Sequence, residues 1–341
     1  MKSAFHVGID DRFSALGLTS ALCERLSFGT SGAAETIAVK NLSASQGEEL
    51  TAEAIESFDA LVLLDTRVGT RALAGNQRLQ VISRFGVGYE GIDIDACTAA
   101  GVVVSITPDG IRRPVATAAL SFILALAHRL FEKDHLSRSG SRVVQNECLG
   151  VGLRGTIVGT VGFGSTAQEL HRLLAPLETK RLAYDPYVDP EVSAAQGVQL
   201  VELEQLLSDS DFVCVMCPLT PETTHLFNEA RLHSMKPAAC LINVSRGLVV
   251  DTEALTDALV EGRLRGAALD VTDPEPLSIE HPLFRFRNVI ITPHTACWTN
   301  ELIEGNLVSI ASSLHSVMRG QRPRFLVNGD AWESSRAAGG R

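Results

Sequence analysis

The sequence has few aromatic residues, no long uninterrupted apolar run and no dense cluster of positive charge. Its apolar share of 45% and charged share of 21% match a globular protein, which excludes a disordered chain. The longest weakly polar run, residues 115–127, is shorter than the roughly 20 residues that span a bilayer. The N-terminus reaches Asp10 and Asp11 before a signal-peptide apolar core can form. These absences predict a cytoplasmic protein without a membrane partner.

Cysteine usage and the sign of the charge exclude two further classes of protein. The seven cysteines are an odd number scattered through mostly apolar stretches, as expected of reduced side chains that act as small hydrophobes. Acidic residues outnumber basic ones by 40 to 30, which gives a formal net charge of −10. Nucleic-acid binding needs clustered cations that neutralise phosphates, so no nucleic-acid partner is expected.

Short apolar runs alternate with helical patterns along most of the chain. Each run is rich in Val, Ile and Leu and is bounded by turn residues, which favours buried strands. The predicted strands are residues 58–64, 79–83, 102–104, 156–161, 181–184, 211–216, 239–244, 265–269 and 289–292. Strands that alternate with helices indicate an α/β fold with mostly parallel sheets. At about 150 residues per domain, the length predicts two domains.

Helical patterns occupy several of the stretches between these runs. The predicted helices include residues 115–130, 167–174 and 252–261. The first is apolar enough to be buried along its length, and a turn at Pro108-Asp109-Gly110 and Pro114 should lead into it. Residues 331–341, with their Ser-Ser and Gly-Gly pairs, are predicted to be disordered.

A dinucleotide-binding fingerprint follows one of the predicted strands. Gly162, Gly164 and Ala167 occupy the three small positions of a loop that runs directly into a helical pattern. Gly162 permits a tight turn, Gly164 lets the backbone approach a pyrophosphate, and Ala167 lets helix and strand pack closely. The free N–H groups at the start of the helix, with Ser165 and Thr166, are predicted to hold the anion.

Asp185 lies 21 residues beyond Gly164, at the end of the next predicted strand. A carboxylate near this spacing accepts hydrogen bonds from the adenosine ribose hydroxyls and repels a 2′-phosphate. The sequence therefore predicts NAD as the cofactor, in preference to NADP, with Arg181 as a residue that could soften the preference. The ordinary alternative for Asp185 is a solvated Tyr-Asp-Pro turn.

Four successive predicted strands in the second half end in informative residues, and ligands bind at the carboxyl ends of strands in open α/β sheets. The first strand leads to Cys-Pro, the second to Val-Ser-Arg-Gly and the third to an Asp. Cofactor contacts are predicted at Cys217, Pro218, Val244, Ser245 and Asp270, the last toward the nicotinamide amide.

The same strand ends deliver Arg246, Glu275 and His294, a chemically complete set for reducing a 2-keto acid. Arg246 presents a planar fork to the carboxylate and carbonyl oxygen of the substrate. His294, as imidazolium, donates a proton to the carbonyl oxygen as hydride arrives, and takes it back in the oxidising direction. Glu275 is expected to hydrogen-bond His294 and keep its acid form available. No metal is expected, because Arg246 and His294 supply the electrophilic help.

Each of these residues has an ordinary structural alternative when it is taken alone. A strand-end Arg-Gly is usually a surface turn, and a His after Pro is usually structural. Their joint arrival at consecutive strand ends after a nucleotide loop favours the catalytic interpretation. Cys214 and Cys217 match a metal-binding spacing, but residues three apart on a strand point to opposite faces, which favours core positions.

These segments resemble the D-isomer-specific 2-hydroxyacid dehydrogenase family of phosphoglycerate, glycerate and D-lactate dehydrogenases. The resembling stretches are residues 84–93, 159–167, 217–223, 242–247, 266–276 and 292–294. The resemblance implies two Rossmann-like domains with parallel sheets. A discontinuous, flavodoxin-like substrate domain would cover residues 1–110 and 298–330, with an NAD-binding domain inserted at 111–297. An active site in the cleft between them and a homodimer are also implied.

The resemblance implies an activity and a substrate site. An NAD(H)-dependent enzyme would transfer hydride between nicotinamide and C2 of a small D-2-hydroxy or 2-keto acid. The substrate carboxylate would be held by Arg246 and by backbone amides at Gly86, Val87 and Gly88. Two alternatives share the fold: an NAD-sensing co-repressor or scaffold similar to C-terminal binding proteins, and a phosphite-oxidising relative. Glu275 argues against a formate dehydrogenase, which lacks that carboxylate.

The sequence departs from the family pattern at several positions. Met216 stands where the family often has His or Asn, Thr117 where it often has Glu, and Ser165 where it usually has Arg or Asn. Thr272-Asp273 replaces a common Phe-Glu. None of these changes touches the Arg–Glu–His set. Arg112 and Arg113 are either a solvated pair or a means of recognising a second anionic group on the substrate.

Overall fold

The computed structural model describes residues 4–28, 36–42, 49–140 and 148–338. The chain divides into two compact units, one of Met1–Ile111 with Thr299–Arg341 and the other of Arg112–Trp298. The divisions fall one residue beyond the predicted boundaries. Each unit contains a parallel sheet with helices, which confirms the predicted fold class.

The first unit has a five-stranded sheet in the order β2-β1-β3-β4-β5. Its strands are β1 (Phe5–Ile9), β2 (Ile37–Asn41), β3 (Ala60–Leu63), β4 (Val81–Arg84) and β5 (Val103–Ser105). Its helices are α1 (Asp11–Ala15), α2 (Thr19–Phe28), α3 (Ala52–Ile55), α4 (Thr70–Leu73), α5 (Ile94–Ala99) and α13 (Asn300–Met318). The fully buried strand β3 lies inside the predicted run 58–64, and β5 is displaced by one residue from the predicted run 102–104. Strands β1 and β2 were not predicted. β2 is half-exposed at the sheet edge, so it carries no continuous apolar signal.

The second unit has a seven-stranded parallel sheet in the order β12-β11-β10-β9-β6-β7-β8. Its strands are β6 (Ile157–Val161), β7 (Lys180–Tyr184), β8 (Gln199–Leu200), β9 (Phe212–Val215), β10 (Cys240–Asn243), β11 (Gly266–Leu269) and β12 (Val289–Ile291). Its helices are α7 (Leu130–Arg138), α8 (Ser165–Leu174), α9 (Pro190–Ala194), α10 (Leu203–Asp209), α11 (Glu229–Ser234) and α12 (Thr252–Val260). The direction of the strand order reverses at β6, and such a switch point opens a crevice for ligands at the carboxyl ends.

Helix α6 (Pro108–Ala127) corrects the predicted helix at 115–130 at both ends. It begins seven residues earlier, with Pro114 inside it, and it stops before Arg129, whose left-handed backbone precedes α7. Burial of Ala116, Ala119 and Ile123 against the sheet of the second unit outweighs the local proline signal. By length and a mean hydropathy of 1.3 this helix could cross a membrane, but 56% of the apolar window is buried, as in a core helix.

The prediction of a disordered tail is wrong for residues 331–338. A 3-10 helix covers Gly329–Ser334, and Trp332 and Ala337 are buried. Arg336 donates from Nη1 to the Leu79 carbonyl, 2.9 Å away, which ties the tail to the first sheet's unit. The polar composition of this segment favoured the prediction of disorder, because only a few of its residues make these contacts. Residues 339–341 lie outside the described part of the chain.

The two faces of the second sheet carry separate apolar clusters. Cys214 belongs to the cluster that includes residues of α6 and α8, and Cys217 to the cluster that includes residues of α10 to α12. The two thiols therefore lie on opposite sides of the sheet, as the strand alternation predicts. All seven cysteines lie in the described ranges and are free thiols.

His171 of α8 is a buried titratable group within the second unit. Its Nε2 lies 2.9 Å from Oγ1 of Thr160 on β6, and its ring packs against the ring of Phe163 with centroids 5.6 Å apart. Burial, helped by the charge of Arg181, lowers the pKa of this imidazole to about 3. The unfolded chain therefore binds a proton between pH 6.5 and 3 that the folded unit does not.

We expect the free energy of unfolding to fall as pH drops through this window, by up to about 1.4 kcal/mol per pH unit from this group. His171→Gln should flatten that dependence in urea titrations at several pH values. Thr160→Val is the control, because it removes the hydrogen-bond partner but keeps the imidazole buried, so its slope should match the wild type. Equal slopes for His171→Gln and wild type would contradict the assignment.

Candidate functional site

The loop after β6 is held in a conformation that requires glycine at its first position. Gly162 has a φ of +100°, and a Cβ there would lie 2.8 Å from the backbone nitrogen of Cys217. Its N–H donates to the Tyr184 carbonyl at 2.8 Å. The loop thus crosses closely between the ends of β7 and β9 before α8 begins, as the fingerprint predicts.

The start of α8 offers backbone donors next to open space. Gly164 precedes the helix with ordinary extended backbone, and a Cβ placed on it would meet no described atom within 4 Å. Among the described residues no side chain caps this helix. Its first-turn N–H groups, at Ser165 and Thr166, therefore remain available to an anion.

Asp185 is fixed against the same loop. Its Oδ2 accepts the Phe163 N–H at 2.8 Å, and its Oδ1 accepts the Tyr187 N–H at 3.0 Å. A carboxylate has about four acceptor sites, so both oxygens retain capacity for ribose hydroxyls. The open space at Gly164 and the carboxylate at Asp185 fit a dinucleotide with an unphosphorylated ribose.

The ends of the neighbouring strands β9 and β10 bring together the other predicted cofactor residues. Ser245 Oγ donates to the carbonyl of Cys217, which links the two strand ends. The Pro218 carbonyl accepts Thr223 Oγ1 at 2.7 Å, and the Val244 N–H donates to the Val215 carbonyl at 3.4 Å. The structure therefore groups these residues beside the fingerprint loop, and their contact with cofactor stays a prediction.

Asn243 is a site residue that the sequence reasoning missed. Its buried side chain accepts the Ser245 N–H through Oδ1 and donates to the Arg246 carbonyl through Nδ2, both at 3.0 Å. These bonds shape the turn that presents Arg246. The available signal was an amide at the last position of an otherwise apolar strand, where an unpaired polar group is costly.

The turn that follows Arg246 packs backbone on backbone against the loop after β11. A Cβ on Gly247 would lie 2.0 Å from the Thr272 carbonyl oxygen, so the position accepts only glycine. Nη1 of Arg246 donates to the Ser245 carbonyl at 2.9 Å. This close approach brings the Arg246 turn beside the segment that carries Glu275.

His294 and Glu275 form a hydrogen-bonded pair at the ends of β12 and β11. Nδ1 of the imidazole lies 2.7 Å from Oε1 of the carboxylate, and the side chains are 47% and 42% exposed. Burial raises the pKa of Glu275, but the hydrogen bond and charge of His294, the Thr272 N–H and the charge of Arg246 together lower it. The carboxylate is therefore ionised at neutral pH, and it occupies Nδ1 rather than Nε2.

Asp270 anchors the loop that carries His294. Its buried Oδ1 accepts Thr292 Oγ1 at 2.7 Å and the N–H groups of Thr295 and Ala296 at 2.9 Å, while its carbonyl accepts the His294 N–H at 2.8 Å. His294 has a φ of +56°, an uncommon left-handed conformation that these bonds hold in place. Asp270 thus positions His294, a role that the sequence did not suggest, and its predicted contact with nicotinamide stays a prediction.

The predicted substrate amides belong to the first unit and need one correction. The Gly86 N–H donates to Thr107 Oγ1 at 2.7 Å, so it is already paired within that unit. Thr107 follows β5 and also donates its own N–H to the Gly86 carbonyl at 2.9 Å. Of the three amides, those of Val87 and Gly88 remain the candidates for a substrate carboxylate.

Comparisons with a family model, with curated relatives and with solved structures agree on one family. The family model described as "D-isomer specific 2-hydroxyacid dehydrogenase, NAD binding domain" matches residues 120–296. Glyoxylate reductase of Thermococcus litoralis is 40% identical over 290 residues, which cover 83% of this chain and 87% of that protein. The crystal structure of TT0316 protein from Thermus thermophilus matches with a TM-score of 0.78 at 29% identity, over 95% of this chain and 100% of that one.

A further solved structure has the same fold at lower identity. The D-lactate dehydrogenase of Aquifex aeolicus, complexed with NAD and lactic acid, matches with a TM-score of 0.78 at 24% identity, over 94% of this chain and 98% of that chain. The fold and the loop geometry define a dinucleotide-binding α/β protein. The chain belongs to the D-isomer-specific 2-hydroxyacid dehydrogenase family and carries its NAD-binding domain, which confirms the predicted family and cofactor.

Gly164→Ala tests the nucleotide loop without disturbing the fold. The new methyl group meets open space and ordinary backbone, so the melting temperature should stay close to wild type. It should raise the dissociation constant of NADH by about tenfold or more, because it obstructs the approach of the pyrophosphate. Fluorescence titration with NADH measures this.

Gly152→Ala is the matched control, since a Cβ there also meets no described atom within 4 Å and the residue lies outside the loop. Its NADH affinity should equal that of the wild type. Unchanged affinity in Gly164→Ala would show that the cofactor does not approach the backbone at this position.

Proposed function

We propose that this protein is an NAD(H)-dependent reductase of small 2-keto acids that also oxidises the corresponding D-2-hydroxy acids. The observation that carries the proposal is the His294–Glu275 pair, 2.7 Å apart and held beside the Arg246 turn. The pair lies at the carboxyl edge of the sheet that carries the NAD fingerprint. Because glyoxylate reductases are similar over most of the chain, glyoxylate is the first substrate to test.

The three side chains have complementary parts in the reaction. Bound nicotinamide supplies the hydride that reaches the carbonyl carbon of the keto acid. His294 donates a proton from Nε2 to the carbonyl oxygen, since Nδ1 is engaged with Glu275. Glu275 orients the ring and stabilises the imidazolium, and Arg246 pairs with the substrate carboxylate. In the oxidising direction neutral His294 accepts the hydroxyl proton.

The Asp185 carboxylate supports a preference for NADH over NADPH. It is fixed at the loop by two backbone N–H groups and would repel a 2′-phosphate. Arg181 donates from Nη1 to the His171 carbonyl at 3.1 Å, and its effect on this preference stays a prediction.

His294→Ala tests the proton transfer with glyoxylate, pyruvate and larger 2-keto acids. Its kcat should fall by at least about 100-fold, because a positioned acid contributes roughly 10²–10⁴. NADH affinity should survive, and wild-type rates with NADPH should be lower than with NADH. His233→Ala is the matched control, since His233 Nε2 also lies 3.0 Å from a carboxylate, that of Glu261.

A near-wild-type kcat for His294→Ala would overturn the assignment of the acid. If the wild type binds NADH but reduces no keto acid, the protein is a nucleotide-binding scaffold of the same fold. If it oxidises phosphite, the keto-acid assignment is wrong while the fold and cofactor stand.

We also propose that the protein is a homodimer assembled through an apolar patch on the second unit. Leu130, Phe131 and Leu149 are 53%, 56% and 75% exposed. Val151 donates its N–H to the Ala127 carbonyl at 2.8 Å, which places Leu149 near the end of α6 and the start of α7. In the described chain α7 buries none of its nine residues, and a second copy of this chain would cover it.

Sedimentation equilibrium should give a mass of twice 36.5 kDa for the wild type. Phe131→Glu should shift the protein toward the monomer, because the dimer would bury an unpaired charge. Ile279→Glu is the control, as Ile279 is also exposed but lies elsewhere on the second unit. A monomeric wild type in this measurement would contradict the proposal of a homodimer.

A further inference from the structure

A groove of about 390 Å³ runs along the exposed side of α8 in the second unit. Its floor follows the helix from Ser165 to Ala175 at helical spacing. Arg112 of α6, Arg181 of β7 and Gln196 line the groove as well. The volume is within the range of small-molecule sites.

The groove is strongly positive in a chain whose net charge is −10. Arg112, Arg172 and Arg181 line it, and Glu169 is its one acidic lining residue. Oε1 of Glu169 already accepts Arg113 Nη1 at 2.6 Å and Arg172 Nη2 at 2.8 Å. Hydrogen bonds from Arg172 and Arg113 lower the pKa of Glu169 to about 2, although burial by itself raises it. One carboxylate is thus shared by two guanidinium groups.

Two further guanidinium groups, those of Arg112 and Arg181, line the groove. Among the described residues, neither Arg112 nor Arg181 forms an ion pair, and Arg181 donates only to a carbonyl, that of His171. Like charges that line one groove repel each other, and a bound anion relieves that repulsion. The groove therefore fits a ligand that carries more than one negative charge.

Uncharged donors complete the site. Gln196 Nε2 donates to Gln168 Oε1 at 3.0 Å, which ties Gln196 to the helix. Ser165 is the first residue of the ten-residue helix α8, whose positive dipole end faces the groove. Apart from Ala175, each lining residue has a side chain that carries a polar group.

We propose that this groove binds the phosphate groups of a small molecule through Arg112, Arg172 and Arg181. A phosphate carries nearly two negative charges and three acceptor oxygens, and guanidinium forks match it in geometry. The proposed ligand is a phosphorylated molecule separate from the dinucleotide. The diphosphate of the dinucleotide is the competing source of this chemistry, since Ser165 is common to the groove and the fingerprint loop. The proposal goes beyond the reductase function, and its failure would leave the Arg246, Glu275 and His294 roles untouched.

Isothermal titration with inorganic pyrophosphate, with and without saturating NADH, tests the groove. Wild type should bind with a dissociation constant below about 1 mM, and Arg112→Ala with Arg181→Ala should weaken binding by about tenfold or more. The matched control is Arg138→Ala with Arg154→Ala, which removes the same charge from surface ion pairs in which these arginines are 78% and 80% exposed. It should change the affinity by less than about twofold, since exposed charges are screened.

The outcomes separate the two sources. Binding that persists in the NADH-saturated protein assigns the groove to a separate phosphorylated molecule. Competition with NADH, together with weaker NADH binding in the groove variant, assigns the groove to the cofactor site and overturns the proposal of a separate ligand. No pyrophosphate binding with unchanged NADH affinity, or equal weakening in the control, overturns the proposal. If the double variant fails to fold, the single substitution Arg112→Gln at an exposed residue replaces it. This variant should lower the affinity for pyrophosphate by at least about threefold.

Discussion

The buried carboxylate of Asp270 is the constraint on which the candidate site depends. A histidine in left-handed backbone needs the surrounding structure to hold it there, and three hydrogen bonds to one carboxylate oxygen provide this. The bonds join the end of β11 to the loop after β12 and so fix the two strand ends to each other. Glu275 then meets Nδ1 of His294 at 2.7 Å, and the opposite ring nitrogen is left for chemistry.

Two close backbone contacts at glycines position the remaining parts of the site. Gly247 touches the Thr272 carbonyl, so the Arg246 turn and the Glu275 segment cannot separate without breaking the packing. Gly162 crosses against Cys217 in the same way, which fixes the cofactor loop to β9. Both contacts need the absence of a side chain, and both place charged or donor groups at one edge of the sheet. The site thus rests on close backbone approaches as well as on side-chain chemistry.

The sequence predicted the interior of the fold better than its margins. Strands such as β9 and β10 are buried on both faces and read as continuous apolar runs, so the pattern located them within two residues. β2 and β8 lie at sheet edges, where exposed residues interrupt the pattern, and neither was predicted. The short interior strand β1 was missed as well, although it is mostly buried. Pro114 inside α6 and the anchored Trp332 show the same limit, because long-range burial outweighed a local signal.

By itself the sequence determined the class of the protein and which residues form its candidate site. Residue types at strand ends and a glycine loop are local properties, and a parallel sheet collects strand ends at one edge whatever the details. Only the tertiary structure decided which atoms meet: Nδ1 of His294 with Glu275, Asp270 with the histidine loop, and the Gly86 amide with Thr107 rather than a free site. These pairings join residues 19 to 25 positions apart or belong to separate loops. Spacing along the chain does not encode the distances and angles of such hydrogen bonds, which follow from how the strands and loops pack.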